Sequence, residues 1–122
     1  MSLQQRLVVA GISAIQAQAI QGTVANNLVA TGTTQATALP LPADCNDFAT
    51  VAAGSGCILP QMNPGDDIMV YNGGANALLI YPPLGAQIKG LGTNTGYSVA
   101  VATPLAFVQC ITPTQYVASQ AA

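Results

Sequence analysis

The chain has 122 residues, of which 51% are apolar and 5% charged, with a formal net charge of −2 and no histidine. That length fits one ordinary domain and not two. With Arg6 and Lys89 as the only bases, a phosphate-neutralising surface is excluded, and without imidazole so are His-based triads and the commonest nitrogen ligand of metals.

From Leu3 to Ile20 the apolar positions Leu3, Leu7, Ile12, Ile15 and Ala19 recur at three- to five-residue spacing among glutamines, a weak helical pattern. Gly11 and the Val8-Val9 pair suit an extended arm equally well, so residues 1–32 are expected to be an N-terminal arm or short helix with its connector, carrying a short strand near Leu28-Val29. The opening Met1-Ser2-Leu3-Gln4-Gln5-Arg6 has no basic cluster ahead of an apolar core, so synthesis in a cytoplasm is expected.

A β domain is expected over 33–118. Thr33 to Leu41 alternates with a period of two, the mark of an extended segment, which Pro40 and Pro42 confine to an edge or a turn. A strand follows from Asn46 to Ala52. Asn63-Pro64-Gly65-Asp66 spells a type II turn, with Pro fixing φ at the second position and Gly supplying positive φ at the third. Asp67 to Asn72 then forms a strand with Ile68 and Val70 on one face, and Asn72-Gly73-Gly74 supplies a tight reversal into Ala77–Tyr81, giving a hairpin. Glycines divide the stretch around Ile88 and Leu91. Two last strands are expected, Tyr97 to Val101 and Leu105 to Ile111, before Thr112-Pro113-Thr114 turns the chain into Gln115–Ala118. Residues 119–122 are expected to fray.

Seven or eight short strands between Gly, Pro and Asn turns predict an all-β fold, a small β-sandwich or a jelly-roll-like barrel. A membrane span needs about 20 consecutive predominantly apolar residues, and polar residues, Gly or Pro interrupt every apolar run, so no membrane partner is expected. The recurrent Val, Ile, Leu, Phe and Tyr argue against disorder. What remains is a folded chain with a neutral surface of amides and hydroxyls, and so little charge does not keep copies apart. Self-association is expected.

The sequence assigns no catalytic, cofactor-binding or metal-ligating residue. Cys45, Cys57 and Cys110 are an odd set, expected as buried thiols in a reducing compartment, with a Cys45–Cys57 bridge open to formation on oxidation. Cys110 sits in an apolar run where burial disfavours the thiolate a nucleophile needs. Of the four acids, Asp66 and Asp67 point to opposite faces if extended, and Asp44 and Asp47 approach each other only in a turn, without the spacing of a calcium loop. Gly54-Ser55-Gly56 fits neither a P-loop nor a dinucleotide fingerprint, and direct nucleic-acid binding is not expected. Tyr71, Tyr81, Tyr97 and Tyr116 suit core edges more than a ligand face.

One stretch carries a resemblance. Tyr71-Asn72-Gly73-Gly74-Ala75-Asn76-Ala77-Leu78-Leu79-Ile80-Tyr81-Pro82, within Gly65–Ala86, is followed by Ile88-Lys89-Gly90-Leu91 and then by Phe107-Val108-Gln109-Cys110-Ile111-Thr112-Pro113-Thr114-Gln115-Tyr116. The order and spacing resemble those of small β-rich structural proteins of tailed bacteriophages and prophages, over roughly Thr33 to Ala118. The resemblance implies a virion protein of the capsid decoration or cement type, a homo-oligomer and specifically a trimer, with the major capsid protein or another virion protein as partner. The alternative within the same class is a tail, baseplate or head-fibre component with a protein- or glycan-binding face. It implies no catalytic residue.

Overall fold

The computed structural model describes Arg6, Ala10, Gly11, Ser13 and residues 22–121. The arm or helix expected over Leu3–Ile20 lies almost wholly outside the described residues. Ten strands follow: β1 (Val24–Val29), β2 (Leu39–Pro40), β3 (Cys45–Thr50), β4 (Gly56–Ile58), β5 (Asp67–Asn72), β6 (Leu78–Tyr81), β7 (Gln87–Ile88), β8 (Tyr97–Val99), β9 (Leu105–Thr112) and β10 (Gln115–Ala121). They form a six-stranded sheet in the order β1-β3-β5-β9-β10-β7 and a four-stranded sheet in the order β2-β4-β6-β8. The fold is all-β, with two mixed sheets.

The first six strands alternate between the sheets. β1, β3 and β5 pair in parallel in the larger sheet, and β2, β4 and β6 pair in parallel in the smaller one. Parallel neighbours cannot be joined by a tight turn, so each return passes through a strand of the other sheet. The last strands bring antiparallel pairing: β9 lies between β5 and β10, and β8 pairs with β6. Inward residues of both sheets, Phe48, Val70, Val108 and Tyr116 from the larger and Cys57, Leu78, Ile80 and Val99 from the smaller, make one buried cluster.

This path corrects the expected hairpin. β5 and β6 lie in different sheets, and Asn72-Gly73-Gly74 is the corner between them. Buried Asn72 holds that corner: its Nδ2 donates to the carbonyls of Asn76 (2.9 Å) and Val99 (3.0 Å), and its Oδ1 accepts from Gly74 N (3.1 Å). Gly73 N donates to Phe48 O, and Asn76 Nδ2 reaches Val51 O. A Cβ on Gly74 would meet Val51 N at 2.6 Å, so the residue is small because β3's exit passes against it. An Asn-Gly-Gly sequence signals a reversal of direction; buried polar contacts with β3 and β8 determine that the reversal changes sheets instead.

Other expectations divide in the same way. The type II turn is present, with Asp66 N donating to Asn63 O at 3.0 Å and Gly65 at φ 94°. Ile68 and Val70 share the buried face of β5. Only Leu39–Pro40 of the alternating 33–41 segment is a strand, because Thr34 and Thr37 bond to each other in a turn. The β fold includes β1, so it begins ahead of the expected boundary at 33. Residues 119–121, expected to fray, end β10, paired through Ala121 opposite Leu105. Gln120 secures them: its Oε1 accepts from Ala100 N and Thr103 Oγ1, and its Nε2 donates to Tyr97 Oη and Ser98 O, bridging to β8 and the turn after it.

Asn72→Ala would deprive two carbonyls of their donor, and Gly74→Ala would press a methyl into Val51. Each is expected to lower the unfolding free energy by about 1–3 kcal/mol, read from urea midpoints, whereas Gln109→Ala on the exposed face of β9 should change it by less than about 0.5 kcal/mol.

Candidate functional site

The groups that carry chemistry are dispersed or already engaged. Asp44 Oδ2 accepts from Thr23 N (2.9 Å) and Thr23 Oγ1 (3.1 Å), tying the entry of β1 to that of β3, and Asp66 Oδ2 accepts from Asn63 N (3.0 Å), closing its own turn, so both are structural acceptors. Together with Asp67 they line an open cleft of about 380 Å³, beside Gln61, Met62 and Ile68. Asp47 lies apart, on β3 opposite Tyr71. Among the described residues no group of three His, Cys, Asp or Glu side chains is placed to hold a metal ion, and no helix is long and apolar enough to cross a membrane.

The three thiols are free. Cys57 faces the core on β4 and burial pushes its pKa up. Cys110 is buried on β9, its Sγ donating to the carbonyls of Thr112 and Met62. Cys45 is half-buried on β3 and turned away from the core, since its neighbours Asn46 and Phe48 take the inward positions. It is therefore the reachable thiol.

The tyrosines do not share a face. Tyr81 and Tyr116 are buried. Tyr97 Oη accepts from Gln120 Nε2. Tyr116 Oη accepts from Met62 N and donates to Pro113 O, and burial raises its pKa. Tyr71 alone points outward, 43% exposed.

What the structure does assemble is apolar. On the face of the six-stranded sheet turned away from the core, β5 presents Asp67, Met69 and Tyr71 opposite Gln109, Phe107 and Leu105 of β9. Phe107 is 47% exposed, and Met69 beside it continues across Cys45 to Val24, 74% exposed on β1. Val117 and Ile111 extend the patch along β9 and β10. One exposed leucine stands apart, on the turn between β6 and β7. Leu84 there is 84% exposed, on a turn closed by Ala86 N donating to Pro83 O and fixed by Asn94 Oδ1, which accepts from Gly85 N (2.7 Å) and Gln35 Nε2 (3.2 Å).

Composition hinted at this face without locating it. A strand with one buried side should be polar on the other, yet Leu105, Phe107 and Ile111 are apolar where Ala106, Val108 and Cys110 already fill the core. Which strands lie beside β9, and hence that Phe107 meets Met69, is fixed by long-range pairing. Compared with known family models, curated proteins and solved structures, the chain matches none.

Two outcomes follow from the buried groups. A thiol titration of the dilute native chain should count one reactive cysteine, Cys45, and three in urea. Cys57 and Tyr116 are held protonated by burial, whereas in the unfolded chain they ionise near their ordinary 9.0 and 10.0. Folded pKa values above unfolded ones mean a contribution that is intact below those values and lost as pH rises through them. The thermal midpoint should therefore be nearly flat between about pH 6 and 8, where no histidine titrates, and fall above about pH 9, with Cys57→Ala moving the onset of the fall toward the tyrosine range.

Proposed function

We propose that the chain is a virion structural protein, of the decoration or cement type, that binds the outer surface of a capsid lattice and ties neighbouring capsomers together. One observation carries this reading: a chain with six acidic and basic side chains exposes an apolar sheet face around Phe107 and, apart from it, a single leucine held on a fixed turn, Leu84. A contiguous exposed apolar face marks contact with protein, and a connector needs two contacts, one for its own copies and one for what it covers, where Leu84 would be the anchoring side chain. Few charges also mean little desolvation cost when large areas are buried. The finer fold reading is a two-layer sandwich, supported by the single core cluster drawn from both sheets. The sequence resemblance adds the virion context.

The tail or fibre alternative needs a tyrosine-bearing face, and three of the four tyrosines are buried or bonded within the fold. The shell reading therefore leads. Its test is reconstitution on particles lacking the protein: wild type should bind in hundreds of copies and raise the temperature of particle disruption, while Leu84→Ser should bind at least about tenfold more weakly with an unchanged unfolding midpoint. Binding in a few dozen copies at one vertex would favour the tail, and no binding to any particle would end the proposal.

A further inference from the structure

The outer sheet face has a specific occupant. We propose that it packs on the same face of a second copy, about a two-fold axis running parallel to the strands along the boundary between β5 and β9.

The edges direct association to the face. Unpaired sheet edges invite strand addition unless blunted by bulges, Pro, Lys or very short strands. β1, one edge of the larger sheet, is irregular at Ala25–Val29, with Asn27 at φ 58°. β7, the other edge, has two residues and is followed by exposed Lys89. β2 ends in Pro40, and β8 has its outer carbonyl at Ser98 taken by Gln120. Each edge resists a new strand, so the open surface is the face.

The registers supply the complementarity. Turning the face over about that axis lays β5 on the partner's β9, and β3 on its β10, with rows preserved. Met69 then meets Phe107, a thioether against an aromatic ring, and Tyr71 meets Leu105. The acids meet uncharged groups: Asp67 faces Gln109, and Asp47, in the row of Tyr71, faces Ala121. Cys45 faces Ser119, since both lie in the row of Met69 and Phe107. No acid opposes an acid, which matters on a face that has no cation.

Strand spacing and rise give a patch of roughly 400–500 Å² per copy. A standard stable interface takes about 800 Å² per partner, so the pair is reversible at micromolar concentration. Pairing does not depend on what the chain decorates, because the Leu84 turn stays free. The unit formed is a pair, in place of the trimer that the resemblance implies.

The experiment uses the purified full chain without particles. Sedimentation should give the mass of two chains at tens of micromolar. Phe107→Asp should raise the dissociation constant at least about thirtyfold and leave the circular dichroism spectrum unchanged. Ser119→Cys, with native Cys45, should give a covalent dimer on a denaturing gel after a short bismaleimide crosslinker, whereas wild type and Ser98→Cys on the other sheet should not. Single-chain or three-chain mass for wild type, or no crosslink from Ser119→Cys, would overturn the proposal. Failure of particle binding alone would not touch it.

Discussion

The structure depends on closing corners between two sheets, with neutral groups wherever the closing side chain is buried. From β1 to β6, parallel pairing goes with a crossing between the sheets at each return, and each crossing carries backbone groups into partly buried ground. Buried Asn72 answers for one corner, Asn46 for another through Ala43 and Met69, and buried Ser55 for a third through Ala52. Among the described residues no buried side-chain nitrogen or oxygen lacks a partner. Neutral amides and hydroxyls avoid the desolvation penalty of buried ions, so low charge and corner chemistry are aspects of one solution.

The same economy shapes the outside. In β9 the inward set of Ala106, Val108 and Cys110 fills the core, and the outward set is nearly as apolar. A strand facing solvent on its outer side usually carries polar residues there; here that position holds Phe107. Irregular or short edges, with a face left open, favour discrete face contacts over open-ended strand addition. That combination suits a protein present at high local density, where addition through sheet edges would produce filaments.

Local signals in the sequence were legible where physics is local. Pro64 and Gly65 imposed their turn, Ile68 and Val70 kept the inward side of a strand, and Pro40 stayed at an edge. Partner choice was not legible. Asn72-Gly73-Gly74 has hairpin composition, and only the approach of Val51 and the carbonyl of Val99 make it a crossing. Residues 119–122 are expected to fray because terminal residues do so unless tied down, and here Gln120 ties them with four hydrogen bonds to β8 and the turn after it. The candidate face was half visible, as excess apolar residues in β9, and its other half depended on β5 lying alongside.

The position of β10 bears on how the chain is made. β1 to β6 can coil one turn upon another in the order of their synthesis, but β7 has no place in the larger sheet until β10 lies between it and β9. The Gln120 bridge to β8 therefore also waits until translation has passed Ala121. Until β10 docks the larger sheet is unfinished and the outer surface incomplete, so the last strand to be made decides when that surface exists.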